Sequence, residues 1–230
     1  MTKSIDVLYE DNHIIAVNKP AGLLTQPTDL ESDSLEIRVK AWIKEKYQKP
    51  GNVFVGVIHR LDKPVSGLVI FAKTSKALSR LNEAIRSREM QKTYCALVEG
   101  IPQKKQDTLT HFLKHDDHFS YIVNKNDPDA KLARLHYETL KTFEKTTLLQ
   151  IILETGRYHQ IRCQLAAIGH PIIGDRRYGA KKAQNILADL PQNAIALHHT
   201  RLSLSHPVTK EVLTIEAPLP AYFSAIGQCH

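Results

Sequence analysis

The sequence contains no long apolar run and little cysteine. Among its 230 residues nothing approaches the ~18 consecutive apolar residues of a membrane-spanning helix, and the start, MTKSIDVLYEDN, has no apolar signal region. We therefore expect neither a membrane partner nor secretion. The three cysteines, Cys95, Cys163 and Cys229, lie far apart and outside any CxxC pattern. This favours reduced thiols and a cytoplasmic location over a disulfide framework or a zinc site.

The sequence also has no GxGxxG or GxxxxGKS loop, so we expect no nucleotide cofactor. The expectation of no metal follows from the cysteine spacing instead. What it does have is positive charge, with a formal net charge of +7. The charge lies in separate clusters such as HRLDK, KLARLH, TGRYHQIR and GDRRYGAKK rather than in one tail. A groove built from several segments to hold a phosphate backbone has this pattern, which slightly favours a nucleic acid as the partner, with solvated surface lysines as the alternative.

The order of elements predicts an α+β fold. Two segments, SDSLEIRVKAWIKEKYQK and TSKALSRLNEAIRSREM, carry capping residues and an apolar helical face. Strands are predicted over Val53–Ile58 and Gly67–Lys73, over most of 106–154, and in a hairpin near the C-terminus. Because helices do not follow every strand, a mixed sheet is favoured over a Rossmann-type fold. No linker interrupts the chain, so residues 1–230 are predicted to form a single domain.

The segment HRLDKPVSGLVIFAK, residues 59–73, places several charges beside an apolar strand. Buried polar groups destabilise a fold unless they have partners. Asp62 is interpreted either as a turn cap or as a functional carboxylate, and a functional one needs a cation to keep it ionised. The segment ETGRYHQIR, about a hundred residues later, offers Arg157 and Arg162. The sequence alone leaves the convergence of the two clusters open.

Five motifs, in order, resemble the RluA-type branch of the pseudouridine synthases, within the RluA/RsuA superfamily. They are VLYEDNHIIAVNKPAGLLTQPT, HRLDKPVSGLVIFAKT, QKTYCALVEG, ETGRYHQIRCQLAAIGHPIIGDRRYG and LHHTRLSLSHPVTKEVLTIEAPLP. The resemblance implies the pseudouridine synthase fold, a long, mostly antiparallel mixed sheet in two sublobes around a central cleft, flanked by helices. It also implies an isomerase without cofactors that converts specific uridines of rRNA or tRNA to pseudouridine. Nothing in the sequence demands more than a monomer.

The same resemblance implies three catalytic residues. Asp62 would act as an ionised carboxylate, either at C1′ of a flipped-out uridine or on the 2′ proton, and the two mechanisms stay open. Arg162 would pair with Asp62 and keep it charged. Tyr94 would stack on the uracil, with a core strand aromatic as its alternative.

Four further residues are predicted to bind substrate. Arg60 matches a family residue that holds the flipped nucleotide or occupies the vacated space. His59 is either a hydrogen-bonded structural histidine or an RNA contact. Lys19 and Arg157 are interpreted as phosphate or structural contacts, with plain surface charges as the alternative.

The chain departs from the family pattern at two positions. Val65 stands where HRLDxxTSG has threonine, and Tyr158 stands where many relatives have threonine before the HQIR histidine. The small N-terminal RNA-binding domain of many relatives is also not expected here. Two other functions stay open: an inactive RNA-binding or ribosome-assembly factor of the same fold, and a glycosidase that releases free uracil.

Overall fold

A computed structural model describes residues 4–181 and 190–224, so Cys229 and Lys182 lie outside the described residues. The chain divides into two units. Unit 1 comprises Met1–Met90 and His199–Pro218, and unit 2 comprises Gln91–His198 and Leu219–His230. Each unit has strands and helices of its own, in agreement with the predicted α+β class. The prediction of one domain over the whole chain stays a prediction.

Unit 1 is built on a sheet with the strand order β1-β2-β4-β10. Strand β3 pairs with β4, and β11 pairs with β10. The pairings β1–β2, β2–β4, β3–β4 and β10–β11 are antiparallel. The bounds are β1 (Asp6–Glu10), β2 (Ile14–Lys19), β3 (Gly56–Val57), β4 (Ser66–Ala72), β10 (Leu197–Ser205) and β11 (Val212–Glu216), of which β10 belongs to unit 1 from His199 onward.

Two capped helices belong to unit 1, as predicted. Helix α1 (Leu35–Lys46) begins after Ser34, whose hydroxyl accepts from the amide of Ile37. Helix α2 (Ser75–Arg86) begins after Thr74, whose hydroxyl accepts from the amide of Ala77. The apolar face of α2 packs in one cluster with buried side chains of β2, β4, β10 and β11. This core supports β4 from behind.

Strand β3 is shorter than the sequence predicted, since only Gly56 and Val57 of the predicted segment Val53–Ile58 pair with β4. The chain leaves the sheet after Val57. The amide of Ile70, the next residue of β4, donates to Nε2 of the His59 side chain at 3.3 Å. A side chain thus replaces a strand partner at this place.

Gly67, the second residue of β4, lies where the backbone of His199 approaches very closely. Its φ is +115°, and a Cβ on it would lie 2.5 Å from the backbone nitrogen and oxygen of His199. Only glycine fits both the backbone angle and this separation. Gly67 therefore fixes the path of the chain directly after the HRLD segment.

Unit 2 contains an antiparallel sheet with the order β5-β9-β8-β6-β7. The strands are β5 (Gln91–Glu99), β6 (Gln106–His115), β7 (Ser120–Val123), β8 (Lys131–Thr142) and β9 (Thr146–Leu153). The helices are α3 (Gln160–Ala167), a 3-10 turn (Arg176–Tyr178) and the short α4 (Ala221–Ser224). Helix α3 ends before Gly169, as the sequence predicted, and packs on β6 and β8 through Cys163.

Candidate active site

Asp62 lies at a corner of unit 1 whose backbone is fixed on both sides. The hydroxyl of Thr25 accepts from the amide of Leu61 at 3.1 Å and donates to the carbonyl of Leu61 at 3.0 Å. On the other side, the amide of Val65 donates to the carbonyl of Asp62 at 3.0 Å. The Asp62 side chain itself is half-buried. The segment therefore presents this carboxylate from a rigid turn.

Lys19 lies buried beneath the same corner, with no exposed surface. Its Nζ donates to the carbonyl oxygens of Leu23 at 2.7 Å, Pro20 at 3.0 Å and Lys63 at 3.3 Å. Burial lowers the pKa of Lys19 to about 7, and the negative charge of Asp62 opposes this fall. Lys19 is therefore not a surface charge. Its hydrogen bonds to the three carbonyl oxygens are structural contacts, which was one of the roles predicted for it. Its contact with RNA stays a prediction.

His59 and Arg60 precede Asp62 and differ in their surroundings. Nε2 of His59 accepts from the amide of Ile70, and its ring meets that of His199 edge-on at 5.6 Å. Nδ1 of His199 in turn contacts the carbonyl of Leu68 at 2.6 Å, so it carries the proton that this oxygen accepts. His59 thus has the structural role that the sequence left as one alternative. Arg60 is exposed, and the RNA contacts of both residues stay predictions.

Tyr94 lies in the interior of unit 2. It is part of β5, faces Ile151 of β9 in the strand register, and is only 6% exposed. Its neighbours Cys95 and Ala96 are also buried. The structure thus places Tyr94 within a core strand, and its predicted contact with uracil stays a prediction.

Arg162 forms a buried ion pair that sequence reasoning missed. Its Nε donates to Oδ2 of Asp175 at 2.7 Å and its Nη2 to Oδ1 at 2.9 Å, while the two side chains are 5% and 1% exposed. The ring of Tyr178 lies 5.0 Å from the guanidinium carbon. Asp175 stands in the motif GDRRYG, and a carboxylate shortly after the buried apolar pair Ile172–Ile173 was the available signal. The predicted pairing of Arg162 with Asp62 stays a prediction.

The start of α3 is held by hydrogen bonds around Tyr178. Burial raises the pKa of Tyr178 to about 12, so its hydroxyl keeps its proton. This hydroxyl accepts from the amide of Ser120 at 2.8 Å and shares a hydrogen bond with Nδ1 of His159 at 3.0 Å. His159 has the left-handed φ of 49° directly before the helix. The network fixes the helix that carries Arg162.

Arg157 lies at the surface of unit 2, in the loop that precedes α3. Its Nε donates to the carbonyl of Leu132 at 2.9 Å, and its amide donates to the side chain of Gln160 at 3.0 Å. The loop is thus fixed while the guanidinium stays exposed. This placement suits the predicted phosphate contact, which stays a prediction.

The seven predicted site residues fall into two groups. Unit 1 holds Lys19, His59, Arg60 and Asp62, and unit 2 holds Tyr94, Arg157 and Arg162. The convergence of the two groups stays a prediction. In the part of the chain that the structure describes, no three His, Cys, Asp or Glu side chains cluster as metal ligands would. No helix between residues 4 and 181 or 190 and 224 is long and apolar enough to cross a membrane.

Comparison with known proteins identifies the family. Residues 13–167 match the family model for RNA pseudouridylate synthase. The chain is 34% identical over 221 residues to the uncharacterized RNA pseudouridine synthase YhcT of Bacillus subtilis, covering 94% of this chain and 69% of the relative. It is 36% identical over 228 residues to the ribosomal large subunit pseudouridine synthase D of Nitrosomonas europaea, covering 97% and 64% respectively. The chain thus spans about two thirds of the length of these relatives.

The fold agrees with that identification. The structure superposes on human RNA pseudouridylate synthase domain containing 4 with a TM-score of 0.79 at 22% identity, covering 96% of this chain and 90% of the other. A second human protein, RNA pseudouridylate synthase domain containing 1, gives a TM-score of 0.75 at 23% identity, covering 96% and 89%. The predicted fold is confirmed, and the chain belongs to the RNA pseudouridine synthase family of RluA type, whose members isomerise uridine to pseudouridine in RNA.

Proposed function

We propose that this enzyme acts on ribosomal RNA and that Asp62 is the residue that acts on the sugar of its target uridine. The corner around Asp62 is the observation that carries this proposal. The Thr25 hydroxyl fixes the backbone of Leu61, and the amide of Val65 donates to the backbone carbonyl of Asp62. The buried Lys19 lies close enough to interact with the carboxylate. A catalytic group needs a fixed position of this kind.

The chemistry requires an ionised carboxylate. Breaking the bond between uracil and C1′ builds positive character on the sugar, which a carboxylate stabilises or bonds to. Removal of the 2′ proton by the same group is the other route, and it needs the same charge. The negative charge of Asp62 acts on the buried Lys19, whose pKa it raises against the effect of burial. Both routes therefore assign the same protonation state to Asp62.

Tyr94 and Arg162 complete the proposed catalytic set. Tyr94 would stack on the uracil, and Arg162 would hold Asp62 ionised through a guanidinium that Asp175 fixes from one edge. Arg60, His59, Arg157 and Lys19 are the residues proposed to bind the RNA or to support those that do. The buried thiols Cys95 and Cys163 support a cytoplasmic location. The proposed monomeric state is tested by light scattering.

Ribosomal RNA is the proposed substrate because the relative from Nitrosomonas europaea is named for the large ribosomal subunit. Transfer RNA is the alternative. Mapping of pseudouridines by carbodiimide labelling in cells with and without the gene distinguishes the two. A missing modification in large-subunit rRNA supports the proposal, and one confined to tRNA would overturn this part of it.

The role of Asp62 is tested by Asp62→Asn, with Asp29→Asn at an exposed position of the same unit as the matched control. We expect Asp62→Asn to lower pseudouridine formation by roughly 10³-fold or more while RNA binding persists. The control should retain activity. Activity in Asp62→Asn close to that of the wild type would contradict the assignment. Wild-type protein that binds RNA without forming pseudouridine would support the inactive binding factor, and release of free uracil would support the glycosidase.

A further inference from the structure

A concave site in unit 2 lies around Tyr158, the residue that departs from the family pattern. The pocket has a volume of about 160 Å³, and Tyr158, His115, Ser120, Lys131 and Arg157 contribute to its wall. Pockets for whole small-molecule ligands are larger, about 300–1,000 Å³. The size suits a single flat group rather than a complete small substrate.

The ring of Tyr158 is held in a fixed orientation. One face stacks on the ring of His159 at 3.9 Å with an angle of 18°, and His115 lies tilted at 5.4 Å. The hydroxyl of Ser120 donates to the carbonyl of Tyr158 at 2.6 Å. His159 thus covers one face of the ring, while Tyr158 as a whole remains 36% exposed. A prepared aromatic surface of this kind is costly to leave bare and suits a planar ligand.

Cations stand beside this ring. Lys131 and Arg157 are exposed, and the bond from Arg157 Nε to the carbonyl of Leu132 holds the guanidinium at the pocket. Lys114 also contributes to the wall, but it is ion-paired with Asp127 and Asp129. Asp129 also interacts with Lys131, so the two exposed cations at the wall are Arg157 and Lys131, the second with a carboxylate in its surroundings. An aromatic face with cations beside it matches a nucleotide, whose base stacks and whose phosphate is negative.

We propose that Tyr158, Lys131 and Arg157 form a subsite that stacks one unpaired nucleotide of the RNA, other than the uridine that is isomerised. The inference rests on the proposed action on RNA. Tyr158 is not part of the proposed catalytic set, so the subsite serves binding rather than the reaction itself. The tyrosine instead adds affinity for single-stranded RNA and helps to select which RNA is bound.

The test compares three variants in binding to a fluorescein-labelled single-stranded oligouridine. Tyr158→Ala should weaken binding by roughly 5- to 150-fold, the usual effect of losing one base-stacking aromatic. Tyr158→Phe keeps the ring and should restore wild-type affinity, which separates stacking from an effect on folding. Tyr121→Ala is the matched control, because Tyr121 is 38% exposed in the neighbouring strand β7 and does not contribute to the pocket.

Two further measurements sharpen the result. Lys131→Gln and Arg157→Gln should each reduce the dependence of log K on log salt by about 0.7, the value for one phosphate contact on a single strand. Binding of a fully paired RNA duplex should change little in Tyr158→Ala, since no unstacked base is available. Oligouridine affinity of Tyr158→Ala within about twofold of wild type would overturn the subsite. Failure of the proposed function would give a different result, because the wild-type protein would then bind oligouridine without forming pseudouridine.

Discussion

Among the residues that the structure describes, Lys19 and Arg162 are cations with almost no contact with solvent, and each unit compensates its cation differently. In unit 1, Lys19 has no exposed surface and donates to three backbone carbonyl oxygens, with Asp62 as the charge that acts on it. In unit 2, Arg162 is 4% exposed and forms a bidentate pair with the carboxylate of Asp175. Lys19 is thus bound mainly by carbonyl dipoles, whereas Arg162 is bound by a carboxylate with a full negative charge.

The difference follows from the chemistry of the two side chains. A buried lysine can release its proton, and burial lowers the pKa of Lys19 to about 7. Arginine stays charged at any physiological pH, so a buried guanidinium needs a carboxylate. The comparison predicts that the ion pair of Arg162 contributes more to the free energy of unfolding and that its contribution does not depend on pH near neutrality. The contribution of Lys19 should be smaller and should change with pH, because Lys19 titrates.

The largest expected effect is on the Arg162 pair. Asp175→Asn leaves a buried guanidinium without its carboxylate, which should lower the free energy of unfolding by about 3–5 kcal/mol. Denaturant unfolding measures this change. Glu83→Gln is the control, since it removes the exposed ion pair between Glu83 and Arg86 and should change stability by ~1 kcal/mol or less.

The pair also makes a prediction about double replacement. Substituting both residues, as in Arg162→Met with Asp175→Leu, removes the charge together with its partner and should restore part of the stability lost in Asp175→Asn. If Asp175→Asn were no more destabilising than Glu83→Gln, unit 2 would not depend on this ion pair and the comparison would be wrong.

The intermediate effect concerns Lys19. Lys19→Met removes the donor to three carbonyl oxygens but also removes a buried charge, so at neutral pH we expect a loss of about 1–3 kcal/mol. The loss should depend on pH. The folded-state pKa of about 7 lies below the ordinary 10.5, so between these values the unfolded chain binds more protons. The free energy of unfolding therefore rises with pH across this window in the wild type relative to Lys19→Met.

Asp62 provides the control for that titration. Its negative charge raises the pKa of Lys19, so Asp62→Asn should move the start of the rise to lower pH. Unfolding measured by denaturant in the wild type, Lys19→Met and Asp62→Asn across the window gives the three curves. Parallel curves for the wild type and Lys19→Met would mean that Lys19 does not titrate there.

Local signals in the sequence predicted much of this architecture. The caps Ser34 and Thr74 and the apolar faces behind them identify α1 and α2, because capping and helical periodicity act over a few residues. The motif around Asp62 was also visible, since charge next to an apolar strand is a local pattern. Strand β3 was predicted too long, because the replacement of a strand partner by His59 depends on a contact with Ile70 in the folded chain.

The partners within the candidate site were not predictable in the same way. Asp175 and Arg162 are 13 residues apart, and their bidentate geometry depends on how α3 packs beside the 3-10 turn. Lys19 was read as a phosphate contact, a structural contact or a surface charge, because its sequence neighbours do not reveal that its Nζ points back to the carbonyl of Lys63, 44 residues away. Burial is a property of the assembled fold, so local sequence does not reveal that these two cations are buried.

The smallest expected effect separates the backbone of Lys63 from its side chain. The carbonyl of Lys63 accepts from Lys19 Nζ and from the amide of Gly22, so it belongs to the buried corner. Its ammonium instead pairs with Glu31 at the surface, where the side chains are 47% and 37% exposed. Exposed pairs contribute little, so Glu31→Gln should change the free energy of unfolding by ~0.5 kcal/mol. A loss in Glu31→Gln as large as that in Lys19→Met would show that the surface pair, rather than the buried lysine, holds the corner that presents Asp62.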